Sequence, residues 1–202
     1  YYLYNFMIKQ SDSTKRVLIV NASPRTGGSV ERLLEAFIDG LDNDIDIVRI
    51  DIAHSHVAPC TGCMVCRTKK ECVLPIDDAY RILSLFRKAD AVVIGTPCYW
   101  GNIPGSLKVL FDRIVYGLME EPARGFPIGL HKGKKAIIIA TCNTPWPWNR
   151  LFRQSSGTVR ALKEILGWSG FRIAATMQRG GTRNSPVTEK DLDKARRLAR
   201  KI

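Results

Sequence analysis

Apolar positions along this chain switch repeatedly between two patterns: short continuous runs and longer stretches with one apolar face. The run Val17-Leu18-Ile19-Val20 has the unbroken hydrophobicity of a strand buried on both sides. Behind it, Val30, Leu33, Leu34, Phe37 and Leu41 recur at helical spacing and define one buried face. Residues 45–50 alternate and predict a second strand nearer an edge, and Asp77-Asp78 opens a helix running to Lys88, with its acidic residues placed for capping and for the helix dipole. Residues 91–95 predict the third strand, and Leu107, Leu110, Phe111, Ile114 and Leu118 the helix behind it. A fourth strand at 136–140, a helix over 150–166, a fifth strand at 171–176 and a last helix over 188–202, capped by Thr188 with Asp191 three residues on, complete the pattern.

Strands and helices thus alternate five times, which predicts an α/β domain with a doubly wound five-stranded parallel sheet. Five strands favour the flavodoxin-like order 2-1-3-4-5 over a six-stranded Rossmann sheet, with a cysteine-rich insert after strand 2. Ligands of such sheets collect beyond the carboxyl ends of the strands, where the strand order reverses. That rule singles out the loops 21–29 and 96–102.

The first loop, Asn21-Ala-Ser-Pro-Arg-Thr-Gly-Gly-Ser29, is suited to an anion. Ser23, Thr26 and Ser29 carry hydroxyls, Gly27 and Gly28 permit close backbone approach, and a helix N-terminus follows directly. Arg25 adds a cation for a phosphate or an incoming substrate. Neither G-x-x-x-x-G-K-[ST] nor G-x-G-x-x-G is present, which argues against a nucleotide triphosphatase and a full dinucleotide fingerprint. An ordinary strand-to-helix turn is the competing reading. The second loop supplies aromatic surface in Tyr99 and Trp100, backbone and amide groups in Gly101 and Asn102, and a stiff approach in Pro97. These suit a planar conjugated ring, although Tyr-Trp after a strand also serves ordinary packing. Thr141 to Thr144, with Thr141 and Asn143 as candidate contacts, form a third wall.

Composition adds little to the fold and more to the chemistry. With 202 residues, 45% of them hydrophobic, the chain fits one domain over 16–202, preceded by an N-terminal arm or cloning remnant at 1–15 in which Met7 is a candidate natural start. Lys and Arg number 31 against 19 Asp and Glu, a net charge of +12 that favours acidic or phosphate-bearing partners. No nucleic-acid recognition motif accompanies the charge, and no apolar stretch is long enough for a bilayer, so neither nucleic acid nor membrane is an expected partner.

Four of the six cysteines, Cys60, Cys63, Cys66 and Cys72, fall in the segment 57–78 with the spacing C-x2-C-x2-C-x5-C. Thiolates at that density suit an iron–sulfur cluster or a tetrahedral zinc; structural or disulfide-linked thiols and redox-sensing thiols are the alternatives. The run departs from the bacterial ferredoxin pattern, because five residues precede the last cysteine and no proline follows it. His54 and His56 lie close enough in sequence to be reserve ligands, while surface or capping roles are expected for them and for His131.

The stretch 21–29, the stretch Thr96-Pro-Cys-Tyr-Trp-Gly-Asn-Ile-Pro-Gly-Ser-Leu-Lys-Val-Leu-Phe-Asp-Arg113 and the cysteine run ending at Asp78 together resemble the NADPH-dependent FMN reductase family, in its iron–sulfur flavoprotein branch. The resemblance implies FMN, with its phosphate on Ser23, Arg25, Thr26, Gly28 and Ser29. It implies a ring site at Pro97, Tyr99, Trp100, Gly101 and Asn102, with Cys98 standing where an aliphatic residue is expected. It further implies a 4Fe–4S cluster on Cys60, Cys63, Cys66 and Cys72, and a homo-dimer or tetramer in which a neighbouring subunit helps enclose the flavin.

The expected function is therefore an FMN-dependent oxidoreductase or electron-transfer flavoprotein in which the flavin carries the chemistry and no side chain acts as acid, base or nucleophile. NAD(P)H, a ferredoxin or a quinone is the expected electron partner. A cluster-free NAD(P)H:flavin or quinone reductase is one alternative. A non-catalytic flavin carrier or sensor with structural zinc or free thiols is the other. Reduced thiols and an oxygen-sensitive cluster point to the cytoplasm.

Overall fold

The computed structural model describes residues 14–122 and 124–202. Most of the expected arm at 1–15 lies outside the described residues. In chain order the elements are β1 (Arg16–Asn21), α1 (Ser29–Ile38), β2 (Asp46–Asp51), α2 (Cys66–Lys69), α3 (Asp78–Lys88), β3 (Ala91–Pro97), α4 (Gly105–Leu118), β4 (Met119–Glu120), β5 (Ile128–Gly129), β6 (Lys135–Thr141), α5 (Trp148–Leu151), α6 (Gln154–Trp168), β7 (Arg172–Arg179) and α7 (Glu189–Ala199). A short 3-10 turn at Ile52–His54 follows β2.

Five strands form one parallel sheet in the order β2-β1-β3-β6-β7, the doubly wound order expected from sequence. Because successive side chains point to opposite faces, each apolar run feeds two cores. Leu18, Val20, Val92, Ile94, Ala136 and Ile138 face α3, α4 and α6. Val17, Ile19, Ala91, Val93, Ile137 and Ile139 face α1 and α7. The continuous runs are thus hydrophobic because both faces are covered. β2 alternates and remains half-exposed, as an edge strand should. Gly95 lets α1 lie close on β3, since a Cβ there would come within 2.6 Å of the Leu34 side chain.

Asp77 caps α3 by accepting the Ala79 N–H at 2.9 Å, and Thr188 and Asp191 form a capping box on α7. The structure departs from the periodic expectation in three places. The helix expected over 150–166 is two, α5 and α6, separated at Arg153, whose φ of 53° is left-handed and cannot continue a helix. A two-residue antiparallel ribbon, β4 with β5, is too short to leave a periodic signal. His131 is a core residue, 1% exposed and stacked on Phe171 at 4.7 Å, which corrects the surface or capping role expected for it.

Candidate functional site

The carboxyl ends of β1, β3 and β6 frame a cleft of about 330 Å³ at the point where the strand order reverses. Its first wall is the β1–α1 loop, contributing Ser23, Arg25, Gly27, Gly28 and Ser29. This loop is tied down from below. The Asn21 side chain accepts the Ser23 N–H at 3.0 Å and donates to Asp51 at 2.7 Å, and Ser23 Oγ accepts the Arg25 N–H at 3.2 Å. Glu31 accepts the Gly27 N–H and an Arg49 N–H, each at 2.5 Å, and the Arg49 contact is the main reason its carboxyl is held below the ordinary range. Gly28 begins α1 without a side-chain cap, so the first-turn N–H groups, which have no acceptor within the helix, remain available at the cleft. A Cβ on Gly28 would sit 3.2 Å from Arg25 Cβ and O, so glycine keeps the cradle open. The donor-rich helix end and the Arg25 and Arg32 side chains at its rim suit an anion.

Pro97, Cys98 and Tyr99 form the second wall. Tyr99 and Asn102 exchange backbone hydrogen bonds at 2.9 and 3.0 Å, closing a tight turn whose two central residues, Trp100 (φ 54°) and Gly101 (φ 72°), are both left-handed. That geometry splits the predicted ring loop. Tyr99 stays on the cleft, whereas Trp100 is fully exposed at the tip. Trp100, Gly101 and Asn102 line a separate depression with Phe152 and Arg153. Thr158 on α6 donates to the Asn102 carbonyl at 3.1 Å and steadies the turn.

Thr141 and Asn143 stand in the third wall as expected. Thr26 is exposed and outside the lining. Cleft residues beyond the predicted contacts include Arg32, Thr182, Pro186 and Val187. Arg32 was legible one helical turn past Gly28. The others come from the β7–α7 connection, which carries no motif and reaches the cleft through Thr182, whose hydroxyl donates to the Cys142 carbonyl at 3.1 Å.

The cysteine segment forms a second feature on the face of α4. Cys60, Cys63, Cys66 and Cys72 share the lining of one depression of about 380 Å³ with Arg113. Cys60 and Cys63 are exposed, and burial followed by the neighbouring Cys72 pushes the Cys66 thiol up. Arg113 has no side-chain exposure; it donates to the Cys72 sulfur, to the Pro75 carbonyl at 3.0 Å and to Asp77 at 3.4 Å. The donor chemistry suits a soft metal centre. Yet among the described residues no group of three or more His, Cys, Asp or Glu is arranged to hold a metal ion, so the ligand cage expected from the spacing is not preformed.

The family profile described as flavodoxin-like fold matches residues 15–202. This chain belongs to that flavodoxin-like family. An iron–sulfur flavoprotein of Methanosarcina thermophila is 35% identical over 97 residues, covering 48% of this chain and 50% of the relative. The chain thus spans about half the length of the curated relatives it matches first. The FMN-dependent NADH:quinone oxidoreductase 3 of Pseudomonas aeruginosa is 28% identical over 203 residues, covering 92% of this chain and 91% of the relative. Among solved structures, an azoreductase from Bacillus anthracis superposes with a TM-score of 0.74 at 21% identity, covering 93% of this chain and all of the other. This structural likeness supports the flavodoxin-like fold. No helix among the described residues is long and apolar enough to cross a membrane.

Proposed function

We propose that this flavodoxin-like protein is an FMN-dependent oxidoreductase that passes electrons from NAD(P)H or a small redox protein to a quinone-like acceptor. The observation that carries the reading is the meeting of an uncapped helix N-terminus and a tyrosine platform in one cleft at the sheet's switch point. FMN has the same two parts, a phosphate and a planar ring, and bound there it would supply hydride and electron transfer. Ser23, Arg25, Gly28 and Ser29 would hold the phosphate. Pro97, Cys98 and Tyr99, with Thr141 and Asn143, would hold the ring. The chain's own work is to bind, orient and shield. The relatives named for FMN and quinone chemistry support this reading.

Cys60, Cys63, Cys66 and Cys72 are the proposed ligands of a 4Fe–4S cluster. The relative named an iron–sulfur flavoprotein supports this, as does the buried Arg113, whose guanidinium offsets negative charge on clustered thiolates. The exposed Trp100, Trp146 and Phe152 supply apolar surface that suits association of two or four copies.

Anaerobic purification followed by an absorption spectrum and by flavin, iron and acid-labile sulfide analysis tests the cofactor reading. One FMN per chain and labile sulfide are expected; one equivalent of zinc without sulfide would replace the cluster by a structural metal. Stopped-flow reduction of the flavin by NADPH and by reduced ferredoxin then identifies the donor, and absence of bleaching by NADPH would remove the nicotinamide-linked version.

A further inference from the structure

Cys98 and Cys142 stand apart from the four clustered cysteines and meet at the cleft. β3 and β6 are paired in parallel up to Pro97 opposite Thr141, and the next amide, Cys98 N–H, donates to the Thr141 carbonyl at 2.7 Å. The pairing therefore continues by one residue and sets Cys98 opposite Cys142. Neighbouring strands run about 4.8 Å apart, inside the Cα window that a disulfide spans. Both side chains occupy the same position in the strand alternation, so both leave the sheet on one face.

Their surroundings suit thiol exchange. Gln154 and Ser155 open the 15-residue helix α6, and both sulfurs face this helix end. Cys98 Sγ lies 3.7 Å from Gln154 Oε1. Cys142 Sγ donates to the Thr144 carbonyl at 3.3 Å, with Ser155 beside it. Ser155 in turn belongs to a buried polar chain, donating to Gln178 at 2.9 Å and accepting from Asn149 at 2.9 Å, while Asn149 Oδ1 has no protein partner. The two thiols differ in access. Cys98 is half-buried on the cleft wall, whereas Cys142 is 5% exposed and burial pushes its thiol up. That asymmetry separates an attacking thiol from a resolving one.

We propose that Cys98 and Cys142 form a dithiol–disulfide couple in the cleft, with low-molecular-weight disulfides as its exchange partners. The Cys98 thiolate attacks one sulfur of the incoming disulfide, whose S–S bond breaks as its first thiol departs. Cys142 gives its proton to that departing thiolate and attacks the Cys98 sulfur, releasing the second sulfur as a thiolate that takes up the proton Cys98 lost on ionising. Two protein thiols become one disulfide and one external disulfide becomes two thiols, so electrons and protons balance. Reduction of the couple by an electron pair and two protons from a bound flavin would rest on the function proposed above; the thiol exchange itself does not.

Peptide mapping tests it. Flavin-free and flavin-loaded protein are incubated with glutathione disulfide, quenched with an alkylating reagent, digested and weighed. A Cys98–Cys142 linked peptide that dithiothreitol removes is expected in wild type. In Cys142→Ser or Cys142→Ala, glutathione should remain on Cys98 at about tenfold the wild-type level, because the resolving step is gone. Absence of the linked peptide in wild type, or equal Cys98 adduct in wild type and variants, would overturn the proposal. FMN binding is followed separately by fluorescence quenching. A linked peptide in a protein that binds no FMN would sink the flavin reading and leave the dithiol standing.

Discussion

The strand-end cleft and the cysteine segment present similar sequence signals, compact motifs beside predicted strands, yet they are built in opposite ways. Cleft residues sit at the ends of β1, β3 and β6, whose central positions are fully buried, and their backbones are pinned by the sheet. The cysteine segment holds one short helix, α2, and its Cys60 and Cys63 are exposed. Preorganisation differs accordingly. The cleft is shaped by the sheet that pins its backbone, whereas the thiol loop lies on the surface beside α4 with two of its four sulfurs exposed.

The largest test of this contrast is Cys63→Ser, which should abolish nearly all iron and labile sulfide while leaving FMN binding intact. Parallel loss of both cofactors would mean that the two regions are one cooperative unit. On the cleft side, Gly28→Val should raise the FMN dissociation constant about a hundredfold, since bulk between Arg25 and the helix end removes roughly 3 kcal/mol of charge-assisted contacts. Titration of FMN fluorescence measures it, and an unchanged constant would show that the phosphate does not use this helix end.

The frame beneath the cleft should also betray itself through pH. Burial lowers the pKa of His131 from 6.5 to about 4. The unfolded chain therefore takes up this proton first, so stability is complete above about 6.5, declines as pH falls, and bottoms out near 4. Between pH 7 and pH 5 the loss from this residue should be about 2 kcal/mol, read as a lower urea midpoint. His131→Phe retains an aromatic face for Phe171 and should flatten that dependence. An equal pH slope in wild type and variant would remove His131 as the cause.

Arg25→Ala is the mildest of these changes. Its side chain is exposed at the cleft rim, so its loss should weaken FMN retention by only about tenfold, and more weakly at high salt. No change in FMN dissociation would take Arg25 out of the site.

What sequence alone determined was the frame and its address. The runs around Leu18, Val93 and Ile138 could be satisfied only by burial on both faces, and with helices between them a parallel, doubly wound sheet followed, its switch point naming the loops at Ser23 and Tyr99. Tertiary structure decided what local patterns do not encode. It turned Trp100 outward through two left-handed residues and brought Thr182 and Val187 to the cleft across a connection without a motif. It buried His131 against Phe171 and Arg113 against Cys72, and it set Cys98 opposite Cys142. The physical reason is range. Period and turn chemistry are properties of neighbouring residues, whereas contacts between distant segments exist only once the sheet has set its strands in register.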